Sequence, residues 1–304
     1  MMKQITWSRI KKQKELVFIS IPFVLYILLF AYVPLWGWSM AFQDYKLGKS
    51  FSEQTFSGLK HFKLLFLDDR FLRVLRNTLA MSTLNLILGF TTAIILALLL
   101  NEIKNVFFKR TVQTISYLPH FLSWVIAAGI VSMVLSTDGI INVMLLKFNI
   151  VEQPILWLSK GEYFWGIFGL STVWKELGWN TIIYLGAMTA INPSLYEAAE
   201  VDGAGRFKKM WHVTLPGIRP TIVILLILSI GRILEAGFEV QYLLGRGMTM
   251  DYAETIDLFV LNYGIKIGNY SLATAAGIFK SVISVTLIFM ANSISKKLGQ
   301  EGLL

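Results

Sequence analysis

The chain has 304 residues, 55% of them hydrophobic and 15% charged, with a mean hydropathy of +0.60. Soluble domains carry about 25% charged residues, so this composition excludes a water-soluble enzyme and implies an integral membrane protein. Cysteine is absent, which excludes disulfides, thiolate nucleophiles and cysteine metal sites, and the net charge of +9 is read as Lys and Arg held at a membrane face rather than as a nucleic-acid surface.

Residues 1–15 are polar and basic, with Lys3, Arg9, Lys11, Lys12 and Lys14. An apolar run over residues 16–42 follows. It is too long for a signal peptide core and ends near Trp36 and Trp38, as a retained span with interfacial anchors would. Pro22 and Pro34 are expected to bend it or mark its ends. Residues 43–76 are polar, and the spacing of apolar residues over 62–75 predicts a helix lying along the membrane surface. A second span is predicted over 77–100 and a third over 117–135, with Pro119 near its start. A fourth covers 163–191, interrupted at Trp174-Lys175-Glu176. The fifth covers 218–244 and the sixth 271–294, after a loop at 245–270.

The long polar island SLYEAAEVDGAGRFKKMWHVTLP, residues 194–216, lies between spans four and five. Ser194 and Glu197 match a capping box, which predicts a helix starting at Ser194. Asp202-Gly203 predicts its end, because glycine permits positive φ. A second short helix would carry Arg206, Lys208 and Lys209, and Pro216 would close it. The result is a two-helix knob on a membrane face.

Six spans put both ends on one side. The basic tail, the 101–111 loop, the knob and Lys296-Lys297 share that side, which the positive-inside rule makes cytoplasmic. The 43–76 segment runs against the rule. It carries Lys46, Lys49, Lys60, Lys63, Arg70, Arg73 and Arg76 on the outer side.

Catalytic motifs are missing. There is no G-x-x-x-x-G-K-[ST], H-E-x-x-H or G-x-S-x-G, and His61, His120 and His212 show no metal-ligand spacing. The chain therefore reads as a non-enzyme that binds no cofactor, and any ATP-driven process would need a second polypeptide. Ionisable residues inside spans are costly and mark functional candidates. Glu176, Asn180 and Tyr184 are spaced i, i+4, i+8 on one helical face, with Trp174 and Trp179 close by. Hydroxyl-binding polar groups beside indole rings suit a sugar. Arg232, Glu235 and Glu239, at i, i+3, i+7, offer a second face. The plain alternatives are an Arg232–Glu235 pair within the helix, Lys280 neutralising a carboxylate on a neighbouring helix, a snorkelling Lys175, and tryptophans as interfacial anchors. For the cluster as a whole a polar passage is the favoured reading.

Glu197-Ala198-Ala199, Asp202-Gly203-Ala204 and Leu215-Pro216 together resemble the EAA loop of ABC-importer permeases. The segments YVPLWGWSMAFQDYK, SYLPHFLSWVIAAGIV and VWKELGWNTIIYLGAMTAINPSLYEAAEVDGA extend the resemblance to maltose-type carbohydrate-uptake permeases over nearly the whole chain. It is nearest to the LplB-type branch, associated with oligosaccharides and polysaccharide fragments. The resemblance implies an all-α type I importer permease of about six transmembrane helices, one permease domain over 1–304, in a bacterial cell membrane. It implies import by alternating access, with a second related permease, two ATPase subunits that hold ATP and Mg, and an extracellular binding protein that delivers sugar. The matching residues Glu197, Ala198, Ala199, Asp202 and Gly203, with Leu215 and Pro216, would seat in a groove of the ATPase. The sugar-contacting residues do not carry over by motif. Two other readings stand beside this one. The first is a permease for amino acids, phosphate or another small solute. The second is a secondary transporter, which would leave the EAA pattern unexplained and for which no inverted repeat is visible.

Overall fold

The computed structural model describes residues 13–297. Most of the basic N-terminal tail lies outside the described residues. Helix α1 (Lys14–Phe42) changes pitch along its length, from α through a π turn at Leu28–Tyr32 to a 3-10 segment at Val33–Phe42. Pro22 sits inside the α part, and Pro34 opens the 3-10 part, where its missing N–H costs little. Nothing in its first two segments is buried; only the 3-10 end, through Ala41, joins the bundle.

A two-residue hairpin follows, with β1 (Gln43–Asp44) antiparallel to β2 (Thr55–Phe56). The Gln54 side chain ties the loop between them by donating to the Lys46 and Lys49 carbonyls. The stretch expected to be one surface helix is divided. Helix α2 (Lys60–Leu67) ends at Asp68, and α3 (Asp69–Glu102) begins at once. Asp68 caps α3 by accepting from the Arg70 N–H at 2.8 Å. The second span therefore starts eight residues before the expected Asn77 and runs 34 residues, about 50 Å. Arg70, Arg73 and Arg76 lie on its first two turns.

Those arginines, on the side expected to be outer, are engaged. Arg70 makes a forked pair with Glu254, at 2.6 and 2.8 Å. Arg73 stands 3.8 Å from Asp251, and Arg76 lies against the rings of Trp165 and Tyr252. In the hairpin, Lys60 and His61 meet Asp44 at 2.9 and 3.0 Å, and Lys60 above all holds the Asp44 carboxyl below the usual carboxylate range.

The third span is broken. Helix α4 (Val106–Phe121) and α5 (Trp124–Val134) meet at 106°. Pro119 starts the 3-10 turn that ends α4, and the Ser123 hydroxyl caps α5 by accepting from Ile126 N–H. After α6 (Ile140–Lys147), buried Asn142 pins the connection through the Ile155 N–H and carbonyl and the Ser136 carbonyl. Helix α7 (Phe164–Thr189) runs unbroken through Trp174-Lys175-Glu176, contrary to the expected interruption, because each charge finds a partner.

The polar island forms α8 (Pro193–Val201) and α9 (Arg206–Gly217), the latter containing a π turn at Met210–Thr214. The fifth span is also broken. Helix α10 (Arg219–Gly231) departs from α9 at 58° and stops at Arg232, and seven residues pass before α11 (Glu239–Leu244). The loop expected at 245–270 is instead built of α12 (Met250–Ala253), α13 (Ile256–Leu261) and a π turn at Asn262–Lys266. Helix α14 (Tyr270–Lys297) closes the described chain.

Helix α3 is the pillar of the bundle. Its first turns pack Phe71 and Val74 against Ile256 and Phe259 of α13 and Leu272 of α14. Its middle sets Met81 against Phe164 and Phe168 of α7 and Val240 of α11. Its last turns set Ala93 and Ala97 against Tyr184 and Met188 of α7, with Ile218 below α10. Close packing of these side chains, rather than escape from water, holds such helices together within a bilayer. The hairpin and α13 thus mark one end of the bundle, and the knob marks the other.

Candidate functional site

The knob starts one residue earlier than expected, at Pro193. Asn192, not Ser194, is the cap: its Oδ1 accepts from the Ser194 N–H at 3.1 Å, and Pro193 takes the first helical position. Asn-Pro wins because proline has no N–H to satisfy there and presets φ. Glu197 is then a solvent-facing residue of α8 rather than the partner in a capping box.

The end of α8 falls at Asp202-Gly203, as the sequence predicts, and its geometry explains why. Gly203 has φ +73°. Its N–H donates to the Glu200 carbonyl, and the Ala204 N–H reaches back to the Ala199 carbonyl at 2.8 Å. This Schellman arrangement satisfies the last carbonyls of the helix and needs the left-handed residue that glycine supplies. The Asp202 N–H donates to the Ala198 carbonyl. Ala198, Ala199, Asp202 and Gly203 thus make the turn with their backbones.

The turn folds α9 back against α8. The Tyr196 hydroxyl meets the buried Thr214 hydroxyl at 3.0 Å. Pro216 does not close α9. It lies within its last turn, because the π turn before it hands the Leu215 N–H to the Met210 carbonyl. Leu215 packs on the core cluster around Ile218. Two large apolar side chains stand out from the knob among its exposed charges: Phe207 is 83% exposed and Trp211 68%.

The residues expected to line one passage divide among three places. Asn180 and Tyr184 of α7 share a cavity of about 360 Å³ with Ser82, Asn85 and Gly89 of α3 and with Ser229, Arg232 and Glu235. Trp174 lines a separate, largely apolar cavity of about 650 Å³ with Ile130, Val134 and Leu170. Glu176 and Trp179 belong to the bend between α4 and α5. There the Glu176 carboxylate meets His120 Nδ1 at 2.7 Å and Lys175 Nζ at 3.3 Å, and His120 stacks flat on Trp179 at 4.4 Å. Lys175 is buried, donates to the His120 carbonyl and lies over Trp124, so it does not snorkel. Glu176 and Asn180 share a helix but serve different neighbours.

Arg232, Glu235 and Glu239 do not form one helical face, because α10 ends at Gly231. Arg232 is its C-terminal cap, and Glu235 lies in the unwound stretch before Gly237, which has φ +86°. Arg232 and Glu235 make no ion pair with each other or with any other described residue. Glu239 is exposed on the first turn of α11 and does not line the cavity. Lys280 pairs with Asp257 at 2.6 Å, the plain alternative. Ser82, Asn85 and Ser229 were not singled out from the sequence. Their signal was a set of small polar residues inside spans two and five.

The bend cluster has a direct test. In Glu176→Ala, buried Lys175 loses its only carboxylate, a change that costs about 3–5 kcal/mol in buried pairs and less at this half-buried one. The expected result is poor recovery of assembled protein and a lowered melting temperature in detergent. Asn180→Ala, which empties part of a cavity, should assemble normally. Equal melting of both variants would remove Glu176 from the bend.

A family model described as "Binding-protein-dependent transport system inner membrane component" matches residues 89–300, which hold the knob and most of the cavity. The chain belongs to this permease family. The polygalacturonan/rhamnogalacturonan transport system permease protein YteP of Bacillus subtilis (strain 168) is 45% identical over 293 residues, covering 96% of this chain and 91% of that one. Protein LplB of the same organism is 43% identical over 303 residues, covering 99% and 95%. Among solved structures, a chain of the bacterial alginate ABC transporter in complex with alginate pentasaccharide-bound periplasmic protein superposes with a TM-score of 0.90. It is 38% identical, and the match covers 99% of this chain and 100% of that one.

The protein is therefore an inner-membrane permease subunit of an ABC importer with the type I fold. Among the described residues, three helices are long and apolar enough to cross a membrane, α1, α3 and α14, and the bent pairs α4–α5 and α9–α10 bring the number to five. Helix α7 is as long as a span at 26 residues, but it carries Lys175, Glu176 and four glycines and is not among them.

Proposed function

We propose that this permease imports an oligosaccharide fragment of a polysaccharide, handed to it by an extracellular binding protein, as one of a pair of related permeases above two ATPase subunits. The observation that carries this reading is the connection between knob and cavity. Helix α7 runs from Tyr184 in the cavity straight into the Asn192 cap, and α10 runs from the end of α9 to Arg232. A push on the knob therefore reaches both helices that carry cavity residues, which is what alternating access needs. Exposed Phe207 and Trp211 supply an apolar surface for the ATPase groove, and ATP and Mg belong to that subunit. The sugar class is supported by YteP and by the alginate transporter, whose printed descriptions name polysaccharides.

In this reading the whole chain is one permease domain. Helix α7 brings the number of spans to six, and both termini and the knob are cytoplasmic. The absence of cysteine makes the topology simple to test. Ser194→Cys in the knob should be shielded from an impermeant thiol reagent in intact spheroplasts, and Ser52→Cys beyond the hairpin should be labelled. The reverse pattern would invert the orientation. Uptake by proteoliposomes carrying the complete complex, with loaded binding protein outside and ATP inside, tests the transport function itself.

A further inference from the structure

We propose that the cavity between α3, α7 and the end of α10 is a sugar-acid subsite, in which Arg232 receives the carboxylate of a uronate residue. This rests on the transport function proposed above and adds the charge of the substrate and the residue that reads it.

Four observations converge. First, Arg232 and Glu235 both line the cavity and neither is paired among the described residues, whereas Arg70, Lys175 and Lys280 all have carboxylate partners. Both residues are exposed where they border the cavity, free to meet an occupant, and an unpaired charge on a span-lined cavity marks a substrate path. Second, Ser82 is 7% exposed, lines the same cavity and has no hydrogen-bond partner for its hydroxyl. A buried hydroxyl without a partner is costly and points to a polar occupant. Third, the remaining polar lining is Asn85, Asn180, Tyr184 and Ser229, a set of neutral donors and acceptors suited to ring hydroxyls. Fourth, the unwound stretch after Gly231 lets Arg232 and Glu235 enter the cavity from a chain that is no longer helical.

The guanidinium fork matches a carboxylate through two parallel N–H donors, a geometry that no hydroxyl reproduces. Glu235 accepts from sugar hydroxyls on the same ring. Its charge also disfavours a second carboxylate beside the first, so the site takes one acid group at a time. A neutral sugar offers Arg232 hydroxyl acceptors but no charge-assisted fork, so the acid form alone gains that bond.

The test uses the assembled permease–ATPase complex in detergent, without binding protein, so that only the permease discriminates. Trigalacturonate and its fully methyl-esterified form share a skeleton and differ in charge. The wild-type complex is expected to bind the acid about tenfold or more tighter than the ester in equilibrium dialysis. Arg232→Gln should remove that preference while leaving ester binding within about twofold, and Arg232→Lys should restore part of it. Equal binding of acid and ester by the wild type, binding of neither, or a preference that survives Arg232→Gln would overturn the subsite. Equal loss of both in Arg232→Gln, with a lowered melting temperature, would overturn it too and make Arg232 structural. Uptake assays with the native binding protein report separately on the transport function, which stands or falls without this result.

Discussion

Gly203→Val is expected to leave the permease inserted and assembled while lowering uptake and sugar-stimulated ATP hydrolysis together by about tenfold or more. Gly203 sits at φ +73°, and a built Cβ there meets no atom within 4 Å. The damage is therefore not a clash. It is the cost of holding a β-branched residue in the left-handed region, of order 1–3 kcal/mol. Relaxing it would break the bonds from Gly203 to Glu200 and from Ala204 to Ala199, and α9 would no longer return to α8. Asparagine tolerates the left-handed region, so Gly203→Asn should keep most of the coupling. Side-by-side assays of hydrolysis and uptake decide the matter. Full coupling in Gly203→Val would show that the turn does not transmit force. Equal loss in Gly203→Asn would show that side-chain bulk at the docking face, not backbone conformation, is what matters.

Arg70→Ala is expected to have the largest effect on stability. Glu254 is only 5% exposed and receives both the Arg70 fork and the Asn262 amide, the latter at 2.7 Å. Removing the arginine strands a buried carboxylate at the hairpin end, where such losses cost about 3–5 kcal/mol. The reverse change, Glu254→Ala, should cost less, because the more exposed Arg70 head can turn to water. Replacing both by methionine should recover much of the loss, since a buried pair contributes little net stability over an apolar one. Melting temperatures of the three variants in detergent give the order. A wild-type melting temperature for Arg70→Ala would mean that the pair is not buried in the assembled transporter.

Local chemistry was legible in the sequence and long-range pairing was not. Gly203 announced its turn because glycine enters the left-handed region at a helix end most readily. Asn192-Pro193 carried the start of α8 just as plainly, yet Ser194 and Glu197 offered a rival cap four residues long, and the stronger proline signal decided. The spans at α1, α3 and α14 were legible because apolar length is a one-dimensional property. The breaks in the others were harder. Pro119 and Ser123 foreshadowed the α4–α5 bend, but Arg232, Glu235 and Glu239 fit a helical spacing so well that Gly237 went unweighed. The arginines at 70, 73 and 76 looked misplaced because their partners, Glu254, Asp251 and Trp165, lie 80 to 190 residues away in the chain, about two to four spans distant in the sequence alone. The passage divided for the same reason. Periodicity put Glu176 and Asn180 on one face, and only the fold revealed that His120 had already claimed Glu176.

The π turn at Met210–Thr214 has a consequence for how this family member can change. Each residue advances a helix by about 100°, and a π turn holds one residue more than the α turn it replaces. Deleting a single residue between Met210 and Thr214 would let α9 close as an ordinary α-helix with Phe207 facing nearly as before relative to Leu215, whereas inserting one more residue, with the bulge already taken up, would swing Phe207 about 100° around the axis. The apolar tip would then face away from whatever it docks on, with every original side chain intact. Between Met210 and Thr214 the helix thus tolerates the loss of one residue far better than the gain of one. Substitutions there are graded changes, whereas an insertion of one residue reorients the whole knob.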